Sequence, residues 1–465
     1  MKRGGRVCSG WLLVVVVLGA LWGPSAGARE ARRDRDDTWE EAIRVLEGGV
    51  ESRVYPGAAA VVGTRSEKGY GGIVFEHYVG RMTYGKVPPY SHTNEEIGSH
   101  TLFDLASLTK VVGTTSVVAW LYEKGLLSLD TLVSSPDLLG PEFAQGGKGN
   151  ITVEDCMLHQ AGFPPDPSPC YWDPKFGCDG APLPLEQSFA CTHRIFDSLM
   201  TQTVDAPPGT RYVYSDLSMI TMMFVAGKVI HDNHLVEGDN LMRECMEMDG
   251  IYPVKLQCEF EGFLRTVILP QVERASGQAM SFPAYRPPVN ARSHTAPTVI
   301  PAAEGLNVTL QGRVEDGNAE MLGGISGHAG TFATASDLAA LMHTLLFPGI
   351  NMSGLPSPYV FLNKTTIETF TTERDNAISS RALGWNTNDP TVHDEGWNLS
   401  CGNFSSKTFM HLGYTGTMVC GDPINGVYLV LLTNRVYPTD QGSGIHAIRQ
   451  NFSNAVVKAL NMRPN

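Results

Sequence analysis

"FDLASLTKVVGTT", residues 103–115, carries a serine and a lysine three positions apart, Ser107 and Lys110. They stand at the start of a run in which Val111, Val112, Thr115, Val118, Ala119 and Tyr122 recur at three- and four-residue spacing, which predicts a helix over 107–123. Side chains one helical turn apart share a face. At a helix start, free N–H groups and the positive dipole end favour an anion. A lysine assists an attacking hydroxyl only when burial or a cationic neighbour brings its pKa down from about 10.4. Read alone, Ser-x-x-Lys equally describes a capping serine and a solvated lysine. Two features favour chemistry: the preceding "LFDLA" is too apolar for a surface turn, and this Ser-x-x-Lys occurs only once in the chain.

The 465-residue chain opens with Lys2, Arg3 and Arg6, then an apolar run from Trp11 to Leu21 and the small residues Ala26-Gly27-Ala28. That order predicts a secretory signal peptide over residues 1–28, with a run too short for a comfortable membrane span. No later stretch is apolar for long enough to cross a bilayer, so a secreted or lumenal protein is expected. Composition is that of a globular chain, 42% hydrophobic and 18% charged, and the chain beyond the signal is longer than one compact core usually takes. A net charge of −13, with no basic block after Arg32-Arg33, argues against nucleic acid and anionic membrane as partners.

Of nine cysteines, Cys8 lies in the signal segment; the other eight suit an oxidising compartment. Cys401 and Cys420 flank one hairpin, and Cys245 and Cys258 bracket one short insertion, so those pairs are expected. Cys156, Cys170, Cys178 and Cys191 are then expected to pair among themselves, in an order the spacing leaves open. Seven Asn-x-Ser/Thr sequons, at Asn150, Asn307, Asn351, Asn363, Asn398, Asn403 and Asn451, exceed chance for this composition and point to N-glycosylation.

Along the chain, residues 29–38 read as a disordered charged tail, and "WEEAIRVLEGGVE" as an amphipathic helix. Strands are expected at 55–63 and 71–85, and helical pieces at 215–230 and 336–347, the latter with Ser336 and Asp337 at its cap and first turn. Stretches 164–186 and 281–316 read as loops. "TFMHLGYTGTMVC" and "GVYLVLLTNRV" read as strands around the turn "GDPING", before a last helix at 445–460. The fold class is therefore α/β of the α+β type. An antiparallel sheet from the N- and C-terminal segments (about 39–125 and 336–465) carries an inserted, mostly helical subdomain (about 126–335), with the default site in the cleft between them.

Two further motifs match the first. In "YVYSDLSMITMMFVAGKVI", Tyr214-Ser215-Asp216 precedes a helix that Ser215 or Asp216 can cap. The tyrosine can relay a proton and Asp216 can hold the lysine. In "HLGYTGT", His411 on a strand can anchor a substrate carboxylate or carbonyl, Gly413 leaves room for substrate, and the Tyr414 N–H can complete an oxyanion hole.

Ser-x-x-Lys, then Tyr-Ser-Asp, then His-Leu-Gly, in that chain order, resemble the active-site motifs of the serine β-lactamase and penicillin-binding protein superfamily. The likeness extends through "ITVEDCMLHQAGFPP", "PPGTRYVYSDLS", "MLGGISGHAGTFATASDLAAL" and "RALGW", and is similar to the class C-like branch of β-lactamases, D-amino-acid peptidases and esterases. The resemblance covers about 55–230 and 310–460. It implies an acyl-enzyme mechanism without metal or other cofactor, with Ser107 as nucleophile, Lys110 as its base or base partner, Tyr214 as proton relay and His411 as substrate-binding element. The oxyanion hole would be the N–H groups of Ser107 and Tyr414. Peptide- or muropeptide-like amides lead as substrates, followed by small esters and then β-lactams.

Three departures from the family pattern matter. Asp216 stands where Asn is usual and would hold Lys110 protonated, shifting the base role toward Tyr214. His411 stands where Lys is usual, which weakens carboxylate binding at neutral pH. Residues 232–259 read as an insertion. Ser326 and His328 in "GGISGHAG" read as a structural loop, His159 as a packed or capping residue, and His231 with His234 as a poor metal pair. A rival from another class, an inactive binding homologue, is disfavoured by the intact Ser107, Lys110 and Tyr214.

Overall fold

The structure, a computed structural model, describes residues 26–65, 72–85, 94–178, 188–247, 252–280, 283–301, 307–390 and 399–462. The expected signal peptide lies largely outside them.

A six-stranded antiparallel sheet is built from β1 (Gly57–Thr64), β2 (Gly72–Gly80), β3 (Asn386–Thr387), β4 (Phe409–Leu412), β5 (Met418–Asp422) and β6 (Val427–Thr433), in the order β2-β1-β6-β5-β4-β3. Ala58 lies opposite Thr433 and Thr64 opposite Val427, so the two ends of the chain meet in the centre of the sheet. These central strands are buried on both faces, which is why "GAAAVVG" and "VYLVLLT" read as nearly continuous apolar runs. The strand period of two still assigns the faces. Ala58, Ala60 and Val62 pack with Leu46 and Phe452 of the terminal helices Ala26–Glu51 and Ile445–Ala459. Ala59 and Val61 turn instead toward Leu338, Leu341 and Met342 of the helix Ala335–Leu346.

The middle of the chain packs around the buried helix Asp216–Asp232, which lies along the helix Tyr252–Phe263. A small sheet of Phe103–Asp104, Thr331–Ala333 and Ala284–Tyr285 joins the Ser107 segment to this region. Ser107 therefore sits where the large sheet meets the insertion.

Several expectations need correction. The first helix is Ala26–Glu51, which begins ahead of the start expected at Trp39. The helix at 335–346 is capped by Thr334, whose hydroxyl and Asp337 form a capping box, rather than by Ser336. Within 281–316, short strands Thr298–Pro301 and Asn307–Leu310 replace part of the expected loop. The run 107–123 is not one α-helix but a 3₁₀ turn, a π-helical turn (Lys110–Thr115) and an α-helix (Ser116–Glu123). The wide turn is held by Thr115 and Ser116 hydroxyls donating to the carbonyls of Lys110 and Val111.

Cys245–Cys258 and Cys401–Cys420 are bonded as expected. Of the remaining four, Cys178 pairs with Cys191, while Cys156 and Cys170 are free thiols. The Cys156 side chain points into the main hydrophobic core whereas Cys170 is half-buried, so the expectation that all four pair fails. Among the sequons, Asn150, Asn363, Asn403 and Asn451 are exposed and Asn351 is half-buried; the side chains of Asn307 and Asn398 lie outside the described residues.

Candidate active site

Ser107 is presented by a strained turn. Ala106, just before it, has φ +47°, a left-handed conformation that costs a residue with a Cβ about 1–2 kcal/mol. Asp104 holds the turn from below: Oδ1 accepts from Ala106 N at 2.8 Å and Oδ2 from Glu315 N at 2.7 Å. Burial raises the Asp104 pKa to about 7, although both N–H bonds favour the charged form. From the sheet side, Thr415 and Thr417 hydroxyls donate to the carbonyls of Asp104 (2.8 Å) and Leu105 (3.0 Å). The "HLGYTGT" segment is thus bolted to the Ser107 turn. A Cβ on Gly413 would lie 2.0 Å from Thr417 Oγ1 and 2.5 Å from the Leu105 carbonyl. The glycine there lets the sheet approach the turn, a tighter constraint than leaving room for substrate.

Lys110, fully buried, places Nζ 2.9 Å from Ser107 Oγ, 2.7 Å from Asp216 Oδ1 and 3.2 Å from the His328 carbonyl. Burial alone would push its pKa down, but the charge of Asp216, followed by Tyr214, outweighs burial and raises it. Lys110 is therefore an ammonium at neutral pH, in line with the charge argument from Asp216. Its Nζ lies 4.8 Å from the centroid of the Tyr214 ring. Ser215 caps the helix behind, and its N–H donates to His159 Nδ1 at 3.1 Å. The His159 ring in turn packs 4.7 Å from that of Tyr214, so this histidine is a packing residue that orients the tyrosine.

These groups open into a cavity of about 530 Å³ lined by Ser107, Tyr214, His411, Gly413 and Tyr414. His411 is not the cationic anchor that a strand histidine suggested. Burial and then the charge of Arg381 hold its pKa well below the ordinary value, and its Nδ1 donates to the Leu412 carbonyl at 2.9 Å. The neutral ring thus leaves Nε2 as a buried acceptor without a partner among the described residues. Positive charge comes instead from Arg381, Arg435 and Arg449, and no carboxylate lines the cavity among the described residues. Arg435 Nε and Arg449 Nη2 support the turn after β4, donating to the carbonyls of Tyr414 (2.6 Å) and Gly413 (2.7 Å). Arg381 lies over the Tyr214 ring at 5.1 Å and donates to the Tyr212 hydroxyl from Nη2 at 2.9 Å. Sequence reasoning assigned Arg381 no role; its signal was an arginine beside the apolar "ALGW" run.

A serine hydroxyl on a strained turn, a buried ammonium, a tyrosine against it and an arginine-lined cavity define an acyl-transfer type of serine hydrolase site. The chain belongs to the β-lactamase family, whose model matches residues 42–232 and 270–451. The gap between those blocks falls on the insertion region, which forms the buried helix Tyr252–Phe263. A relative from Escherichia coli K12 named "Putative D-alanyl-D-alanine carboxypeptidase" is 28% identical over 343 residues, covering 72% of this chain and 69% of its own length. The fold is similar to that of a penicillin-binding protein homolog from Caulobacter crescentus (TM-score 0.58, 19% identity, 90% of this chain, 97% of that one). It is also similar to a D-alanine carboxypeptidase from Burkholderia cenocepacia (TM-score 0.57, 16% identity, 92% and 99%).

Proposed function

We propose that this serine hydrolase is secreted and cleaves peptide-like amides through an acyl-Ser107 intermediate, preferring substrates whose leaving group bears a carboxylate. The carrying observation is the contact of the buried Lys110 Nζ with Ser107 Oγ and Asp216 together, behind a cavity whose charged lining groups are all arginines.

An ammonium cannot accept a proton, so Tyr214, in the phenolate form that the neighbouring Lys110 charge stabilises, takes the proton from Ser107 Oγ and becomes the neutral phenol. Ser107 Oγ bonds to the substrate carbonyl, and the oxyanion is received by the N–H groups of Ser107 and Tyr414. Collapse breaks the C–N bond, and the amine leaves with the proton held by Tyr214. Water then attacks the acyl group, giving its proton to Tyr214, and Ser107 leaves protonated. Arg381 receives the carboxylate of the leaving group. The name of the E. coli relative supports a peptide ending in a free carboxylate. Esters fit the same chemistry, because the acyl half of the site is unchanged. Export and glycosylation are supported by the N-terminal pattern and the exposed sequons.

The test compares kcat/KM for one acyl-D-amino-acid peptide with a free or an amidated C-terminus, in wild type and Arg381→Gln. A preference for the free acid that disappears in the variant supports this reading. Equal rates on both peptides in wild type would remove the carboxylate preference.

A further inference from the structure

The loop "ISGH" (325–328) is anchored in an unusual way: four consecutive carbonyls are each held by a side chain from elsewhere. Gln257 Nε2 donates to Ile325 O (2.5 Å), Tyr285 OH to Ser326 O (2.7 Å), Thr114 Oγ1 to Gly327 O (2.7 Å) and Lys110 Nζ to His328 O (3.2 Å). The side chains of the loop form a second network. Ser326 Oγ lies 2.7 Å from His328 Nδ1, and His328 Nε2 lies 2.9 Å from Asp316 Oδ1. Asp316 also accepts from Ala319 N at 2.8 Å, capping the short helix Gly317–Met321. Serine, histidine and aspartate here have the composition of a hydrolytic triad, but Ser326 and His328 have no exposed surface, so Ser326 cannot meet a substrate.

What this network does reach is the Lys110 site. One nitrogen of His328 and one oxygen each of Asp216 and Asp316 lie within 4.8 Å of one another. The charged groups facing His328 are Asp316 on its own side, Asp216 at the start of the long helix, Lys110 from the Ser107 segment and, on the loop above, Asp166. Burial pushes the His328 pKa down, but Asp316 and then Asp216 override it and raise it; burial pushes Asp316 up, and the charge of His328 overrides that and lowers it. The cluster therefore sets Lys110 and His328 against Asp216 and Asp316, with Asp166 adding a further acidic group. The loop is already fixed through its four carbonyls, so it does not need an ion pair to hold its shape.

We propose that His328, paired with Asp316, is a positioning residue for Lys110: its carbonyl fixes the ammonium, and its imidazolium sets the pH at which Ser107 becomes nucleophilic. This rests on Ser107 and Lys110 being the reacting pair. A positive charge beside the Lys110–Tyr214 pair favours the form that has lost a proton, the form needed to activate Ser107. Removing it while leaving Asp316 charged disfavours that form.

The experiment follows the rate of Ser107 labelling by a fluorophosphonate between pH 5 and 9 in wild type, His328→Gln, Asp316→Asn and the double variant, on protein shown to be folded. His328→Gln should move the rising limb to higher pH by about one unit or more, slowing labelling at pH 7 about tenfold. The double variant, which removes one group of each sign, should return the limb toward wild type, and Asp316→Asn alone should leave it in place or move it to lower pH. A His328→Gln curve that differs from wild type only in height, or a double variant displaced as far as the single, overturns the proposal. If His328→Gln does not fold, an upward displacement in Asp316→Asn or in the double variant overturns it, and limbs at or below the wild-type position support it. A wild-type protein that does not label at any pH would instead refute the nucleophile assignment, and this proposal with it.

Discussion

Asp216→Asn isolates the electrostatics of the site. Two unit charges 2.7 Å apart attract by about 6 kcal/mol at an effective dielectric constant of about 20. Lys110 is fully buried and Asp216 keeps only 16% of its side chain exposed, so little of that attraction is screened. Removing one partner of such a pair costs about 3–5 kcal/mol. The raised pKa of Lys110 makes its stabilisation complete below the ordinary lysine range, and lost only as pH rises through the still higher folded value. With Asn at 216, burial dominates and lowers the Lys110 pKa below that of the unfolded chain, so the variant gains stability relative to wild type as pH rises. The expected loss is about 3 kcal/mol at pH 6, shrinking by pH 9, measured by denaturant unfolding at both. The same 3 kcal/mol corresponds to about two pH units, so the rising limb of Ser107 labelling should move down by that much. An equal loss at both pH values with an unmoved limb would show that Asp216 acts by packing and not by charge.

Other perturbations test the frame. Gly413→Ala forces a Cβ against Thr417 Oγ1 and the Leu105 carbonyl, and should cost about 2 kcal/mol or more and slow Ser107 labelling; wild-type melting would contradict the contact. Ala106→Val puts a β-branched residue at φ +47° and should destabilise by about 1–3 kcal/mol, read by thermal unfolding, whereas Ala106→Gly should stay within about 1 kcal/mol of wild type. Replacing Cys401 and Cys420 together by serine opens a link 19 residues apart in sequence and should cost about 3 kcal/mol, read as a lower denaturant midpoint with activity retained below it.

Much of the scaffold was legible because it rests on local periodicity. Buried apolar runs marked β1 and β6, helical spacing marked the Asp216–Asp232 helix, and the "GDPING" turn separated β5 from β6. The sequence motifs also bring Ser107, Lys110, Tyr214, Asp216 and His411 to one cavity wall or its immediate neighbourhood. What remained hidden depends on long-range neighbours. The neutrality of His411 follows from burial and from Arg381, thirty residues earlier in the chain and adjacent only in space. The anchoring of the 325–328 loop needs side chains from three separate segments, and the free state of Cys156 follows from the direction in which its side chain points. The conformation of residues 107–123 was missed because a π-helical turn keeps an apolar pattern close to that of an α-helix.

The central claim is that Ser107 is the acylated residue. Intact-mass spectrometry of the deglycosylated protein, after separate incubation with a fluorophosphonate and with a penicillin, tests it most directly. The account predicts one fluorophosphonate adduct, mapped to Ser107 and absent in Ser107→Ala, while the penicillin reaction reports whether the arginine-lined cavity admits a β-lactam. No adduct from either reagent on folded protein, or an adduct that persists in Ser107→Ala, would contradict it.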